Sequence, residues 1–282
     1  MDCLFVCSYN CRTIASGASL RMLLLSSRLV KYDVIALQET EGRTETIRKT
    51  DHNELLIIGP KANGNVGGVG FLINSIIAHL VNSHIVVSPR LAVLRLRTDD
   101  RVAISVINAY APTSAAPEEE REDFYRLLEK TIQEEKSYYK YVVGDLNAVV
   151  GTNCNGDWRL GSYGSGDRTE NGELLLNLLY ACRLFHGNFM FEKPSATMDL
   201  GESKWPNAYG NRSFSPIDAG VYLVYTCCPL LTMARIIALC AQKYDSTSGY
   251  SSATRTGSHT SRLSSLIQNY SNLPSKLMIG VS

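Results

Sequence analysis

The sequence has almost no net charge, and that absence removes one class of function first. It carries 28 Lys and Arg against 27 Asp and Glu, a formal +1. A basic field over the whole surface is therefore excluded, and any contact with nucleic acid must come from a local patch. The opening segment, "MDCLFVCSYNCRT", lacks the basic and long apolar stretches of a secretory leader, which predicts an intracellular protein, nuclear or cytoplasmic. Paired CxxC and HxxxH spacings are also lacking. Cys3, Cys7 and Cys11 lie four apart in a strand-like segment, so they read as small buried thiols and a zinc module is a distant alternative. Adjacent Cys227 and Cys228 carry little information. No repeats, low-complexity runs or linkers interrupt the chain before Ser195. The 282 residues suffice for one large domain with a substantial core.

What is present up to that point is regular. "LFVCSYN", "DVIALQET", "ELLIIG", "GGVGFLI", "SIIAHLVNSHIVVSP", "RLAVLRLR", "RVAISVINAYAPT" and "YKYVVGDLNAVVG" read as strands. In one of them Leu91, Val93, Arg95 and Arg97 share one face, and Ala92, Leu94 and Leu96 the other. The two arginines read as exposed strand charges more than as phosphate contacts. Residues 17–31 read as a helix with leucines on a broad face. "PEEEREDFYRLLEKTIQEEKS" is the clearest helix, with acids crowding its first turn and a stripe of Phe124, Leu127, Leu128 and Ile132. "NGELLLNLLYACRLF" reads as a third helix. Strands in clusters with helices between them predict an α/β layered sandwich whose polar residues collect at one end of the sheets.

Four strand ends carry residues that demand an explanation: Asn10, Glu39, Tyr110, and the pair Asp145 and Asn147. A carboxylate ending an apolar strand must be paired, hydrogen-bonded or metal-bound. Two carboxylates with amides beside them make an oxygen-rich site suited to Mg²⁺. Each feature alone has a plain rival, since "GDxN" is also an ordinary turn after a strand.

Taken together and in order, "YNCRT", "ALQET", "GGVGF", "NAYAPT", "VVGDLNAVVG" and "GDRTENGELLLNLLYACRLFHGN" resemble the exonuclease–endonuclease–phosphatase superfamily. The likeness is nearest to the apurinic-endonuclease-like domain of non-LTR (LINE, RTE-type) retrotransposons and the related craniofacial development protein 2-like frames. It covers residues 4 to about 194. The resemblance implies a four-layer α/β sandwich, two packed mixed sheets flanked by helices. It implies a Mg²⁺-dependent (or Mn²⁺-dependent) endonuclease acting on the phosphodiester backbone of DNA. Glu39 would bind the metal with Asn10 beside it. Asp145 would orient or deprotonate the attacking water, and Asn147 would hold the phosphate or Asp145. Tyr110 would hydrogen-bond the scissile phosphate, and Asn171 would support the site or the DNA. His186 reads as a structural histidine.

The family's reaction also needs a His–Asp dyad, expected in a "W-[TS]-W…E-I-D-H" segment and a final "G-S-D-H-R". Neither is written here. His259, in "TGSHTSR", has no acid beside it, and Asp218, in "SPIDAG", sits in the wrong surroundings. Codon degeneracy suggests where they went. Read one nucleotide later, permitted codons for Ala196–Phe214 yield "RRWTWESPNGQTHTEIDH". In the remaining frame "SPIDAGVY" yields "TNRRWCLL", and Thr232 to Asp245 yields "HGSDHRLVRAKIRF". The expectation is a frame shift near Ser195 and a second indel near Phe214. Residues 1–195 would then be an incomplete nuclease domain and 196–282 an irregular tail, with the C-terminal strands missing or replaced by irregular sequence. The tail's composition agrees: Ser and Thr are twelve of twenty residues over Ser246–Ser265. Ala219–Ala234 is apolar, but its sixteen residues are short of a membrane span and interrupted by Pro229. The sequence thus predicts a DNA endonuclease crippled by loss of its dyad, with no membrane and no obligate protein partner. The alternatives are a phosphatase or phosphodiesterase of the same fold on a small phosphoester, and a non-catalytic retroelement remnant.

Overall fold

The computed structural model describes residues 3–62, 67–98, 101–151, 160, 166–187, 221–225 and 234–240. These fall in one compact unit built from Met1–Lys193 and Ser213–Ala241. The elements run β1 (Cys3–Asn10), α1 (Gly17–Ser27), β2 (Val34–Gln38), β3 (Thr46–Lys49), β4 (Leu55–Ile58), β5 (Val69–Ile73), a 3-10 turn (Ala78–Leu80), β6 (Val81–Ser88), β7 (Leu91–Arg97) and β8 (Ala103–Tyr110). Then follow α2 (Glu118–Glu134), β9 (Tyr139–Asp145), α3 (Glu170–Ala181), β10 (Leu184–His186), β11 (Val221–Tyr225) and β12 (Ala234–Cys240).

Two six-stranded mixed sheets result, in the orders β12-β1-β2-β5-β4-β3 and β10-β11-β9-β8-β7-β6. Three apolar clusters separate four layers. Leu20, Leu23, Ile35 and Leu37 lie between α1 and the first sheet. Val34, Ala36, Leu94 and Val106 lie between the sheets. Val93, Ile107, Leu128 and Leu178 lie between the second sheet and α2 with α3. The period of two makes this possible. In β2, Val34 and Ala36 enter the central core, while Ile35 and Leu37 enter the outer one. The layered α/β sandwich that the sequence predicts is therefore the fold.

Several boundaries differ from the sequence reading. The first helix ends at Ser27, whose hydroxyl turns back to donate to the Leu24 carbonyl at 2.9 Å. The third ends at Ala181, and the "LF" at the end of its apolar run starts β10. Strand β3 was not anticipated; it is a polar edge strand with mostly exposed residues. The largest correction concerns the tail, where strands were expected to be missing. Val221–Tyr225 pairs in parallel with both β9 and β10, and Ala234–Cys240 pairs antiparallel with β1. "VYLVY" and "ARIIALC" are rich in β-branched and aromatic residues, which suit a pleated strand whatever precedes them. Residues 246–265 lie outside the described residues. Among the described residues no helix is long and apolar enough to cross a membrane.

Candidate active site

Asn10, Tyr110 and Asp145 are the last residues of β1, β8 and β9, and Glu39 follows the last residue of β2. Strands β1 and β2 belong to one sheet and β8 and β9 to the other, all with their C-terminal ends at the site. The Asn10 amide donates to Glu39 Oε1 at 2.7 Å and to Asp145 Oδ2 at 3.3 Å. The Tyr110 hydroxyl donates to the same Glu39 oxygen at 2.9 Å. One amide and one phenol thus draw together carboxylates delivered by two different sheets.

The backbone at these ends is unusual. Glu39 has φ 54° and Asn147 φ 44°, left-handed values that cost a non-glycine residue roughly 1 kcal/mol or more. Without that reversal each residue would continue its strand and point elsewhere. Gly144, just before Asp145, has φ +141°, and a Cβ there would stand 1.8 Å from the Ala109 carbonyl oxygen. Only glycine lets β8 and β9 approach so closely where Tyr110 and Asp145 end them.

The loop after β9 is held just as tightly. The Asn147 N–H donates to Asp145 Oδ1 at 3.1 Å, and its side-chain amide donates to the Ala111 carbonyl at 2.8 Å. That amide reaches neither carboxylate; the backbone of Asn147 holds Asp145 instead. Asn171 is buried behind this loop, with 1% of its surface exposed. Its amide donates to the carbonyls of Pro112 and Asn147, both at 2.9 Å. His186 is buried in β10.

Burial raises the Asp145 pKa above the ordinary carboxylate value. Hydrogen bonds from the Asn147 N–H and from Asn10 oppose this, and the nearby Glu39 charge adds to it. Tyr110 is pushed up by burial and by its bond to Glu39. The Arg90 guanidinium lies 5.2 Å from the Tyr110 ring centroid and pairs with Glu120 at 3.0 Å.

A residue that sequence reasoning passed over, Asn108, lies beneath the site with Gln38. Gln38 Nε2 donates to Asn108 Oδ1 at 2.6 Å, and Asn108 Nδ2 donates to the Leu37 and Gly70 carbonyls at 2.8 Å. Ser8 completes the set by donating to Gln38 Oε1 at 3.1 Å. Asn108 is fully buried between the sheets, so this network fixes one sheet against the other. The signal was a single amide inside the apolar run "SVINAY".

Among the described residues no three His, Cys, Asp or Glu side chains form a ready metal cluster. The donors are the oxygens of two carboxylates and of the Asn10 side-chain amide, whose Oδ1 here accepts from the Arg12 N–H at 3.0 Å. Mg²⁺ keeps several of its waters and takes one or two carboxylates from a protein, so this set fits it. The Asn10 amide presently bridges the two carboxylates that a cation would neutralise.

The family model for the Endonuclease/Exonuclease/phosphatase family matches residues 7–218, beyond Ser195 where the motif-by-motif resemblance stops. Among curated proteins none matches. Among solved structures, the AP endonuclease LMAP from Leishmania major is similar at 14% identity and a TM-score of 0.42, over 64% of this chain and 67% of that one. A humanized D. rerio TDP2 carrying 14 mutations is similar at 16% and 0.34, over 47% of this chain and 60% of that one. The human Nocturnin catalytic domain, with bound sulfate, is similar at 18% and 0.31, over 52% and 67%.

Proposed function

Because the chain belongs to the endonuclease/exonuclease/phosphatase family, we propose that it is the metal-binding part of a phosphodiester hydrolase, a DNA endonuclease of retrotransposon type that lacks its His–Asp dyad. The observation that carries this reading is the joining of Glu39 and Asp145, from different sheets, by Asn10, with Tyr110 from the Asp145 sheet also bonded to Glu39. Glu39 and Asn10 would hold Mg²⁺, or Mn²⁺ in its place, which when bound neutralises phosphate charge and makes a bound water more acidic.

The chain's own residues supply the rest. Asp145, raised by burial and steered by the Asn147 N–H, accepts a proton from the attacking water. Tyr110 presents a hydroxyl that stays protonated at neutral pH and can donate to a phosphate oxygen. Asn147, with its side chain tied to Ala111, acts through its backbone. Asn171 supports the loop from behind and touches no substrate.

The likeness of "ALQET", "NAYAPT" and "VVGDLNAVVG" to the retroelement subgroup supports DNA as the substrate. The missing "SDH", which permitted codons for Thr232 to Asp245 can encode in another frame, supports a crippled enzyme. Two measurements decide between the readings. Supercoiled plasmid with Mg²⁺ or Mn²⁺ should be nicked weakly or not at all by this chain, and readily once the frame after Ser195 is restored. Phosphate release from small phosphoesters in place of nicking would favour the phosphatase reading. The nucleotide sequence of codons 193–216 tests the frame shift directly: a +1 frame without Trp-x-Trp ends that idea.

A further inference from the structure

Arg121 lies on the first turn of α2 with 6% of its surface exposed, and no part of the site chemistry above uses it. A guanidinium so buried costs several kcal/mol unless its donors are met. Its Nη1 is 2.7 Å from Glu170 Oε2 and 3.4 Å from Asn171 Oδ1, while its Nε has no partner. The contact with Asn171 has a directional consequence. An arginine can only donate, so it selects the Asn171 oxygen. The Asn171 nitrogen must then face the other way, where it donates to Pro112 and Asn147. Those carbonyls belong to the loops that follow Tyr110 and Asp145. A second strut runs beside it: the Tyr125 hydroxyl, one turn along α2, lies 3.3 Å from the carbonyls of Leu146 and Asn171.

We propose that Arg121 is a positioning residue: through the amide of Asn171 it clamps the loops after β8 and β9, and so sets where Tyr110 and Asp145 stand relative to Glu39. The proposal rests on the metal-hydrolase reading for its purpose, but not for its geometry. Glu170 is largely exposed and serves as a counter-charge that keeps the guanidinium in place.

The test combines backbone hydrogen exchange with Mn²⁺ titration of the full chain. In Arg121→Met, the amides of Ala111 and Asn147 should exchange at least tenfold faster, while those of Val34–Gln38 in β2 keep wild-type rates. Mn²⁺ should bind several-fold more weakly. Asn171→Ala should reproduce both effects, and the double variant should be no worse than Asn171→Ala alone. Arg121→Lys, which keeps the charge and most of the packing but not the planar donor, should fall between wild type and Arg121→Met. Uniform acceleration that includes β2 would make Arg121 a general stability residue and overturn the proposal. So would unchanged loop exchange, or additive effects in the double variant. If wild type binds no Mn²⁺ the metal reading fails, and the exchange data still decide the clamp.

Discussion

Tyr110 donates its hydroxyl proton to Glu39 Oε1 across 2.9 Å, and the two residues come from different sheets. The candidate site is therefore a property of the seam between the sheets. Anything that lets one sheet slide on the other separates the groups that would act together. The buried Gln38–Asn108 bond resists that slide, and it lies directly under the residues it protects.

Glu39→Gln should abolish divalent-cation binding, because it replaces the carboxylate that both Asn10 and Tyr110 address. Tyr110→Phe should leave binding largely intact, since a phenol is not a cation ligand here. Titration with Mn²⁺, followed by calorimetry, separates the two. Equal losses in both variants would mean that Glu39 is not the principal ligand.

Asp145 gives a pH-dependent prediction. Its folded pKa is raised, first by burial, so its contribution to stability is present below the ordinary carboxylate pKa and lost as pH rises through the raised value. At neutral pH the buried charge works against the fold. Relative to wild type, Asp145→Asn should therefore gain stability on going from about pH 4 to about pH 7. Thermal melts at the two pH values measure this, and a variant that loses ground with rising pH contradicts it.

Glu135 should behave in the opposite sense. Burial alone would raise its pKa, but hydrogen bonds from Arg95 and Ser105, with the charges of Arg95 and Lys140, bring it below the ordinary value. That stabilisation is present above the unfolded carboxylate pKa and lost as pH falls through the lowered one. Glu135→Gln should cost about 1–3 kcal/mol at neutral pH, and the deficit should shrink in acid. Urea unfolding across that range checks it.

Gly144→Ala should remove more than about 3 kcal/mol or prevent folding, because its Cβ would overlap the Ala109 carbonyl and its φ is left-handed. Gly17→Ala is the control. Nothing lies within 4 Å of a Cβ there, and alanine favours the helix it begins. Denaturation of both variants compares a close backbone approach with open space.

Much of this was legible. The alternation in "RLAVLRLR" named both faces of β7 correctly: Leu91 and Val93 meet the helices, and Ala92, Leu94 and Leu96 meet the other sheet. Arg95, on the helix-facing side, is not the exposed strand charge the sequence suggested: it is half-buried and held by Glu135 and Ser83. A polar residue closing an apolar strand stands out in one dimension, which is why Asn10, Glu39, Tyr110 and Asp145 could be picked. What one dimension hides is the partner. Asn147 is in the motif, yet its amide turns to Ala111. Asn171 is in a motif too, yet it is buried with its amide on two carbonyls. Asn108 and Arg121 were hidden because their roles come from contacts with residues tens of positions away. The edge strand β3 was missed because exposed polar strands carry little period-two contrast.

Strand β11 sits between β9 and β10, and β12 covers β1. Sequence reading places a boundary near Ser195, but hydrogen bonding does not follow it. A cut there would strip one ladder partner each from β1 and β9 and leave β10 with no neighbour in its sheet. Two fresh edges would open on the very strands that end in Asn10 and Asp145, and such edges invite pairing between molecules. Strand places are filled by backbone hydrogen bonds and only tuned by side chains, so β11 and β12 can close these edges whatever motif their side chains spell. None of the site residues named above comes from β11 or β12, and yet these two strands are the stoppers that keep β1 and β9 from sticking to other molecules.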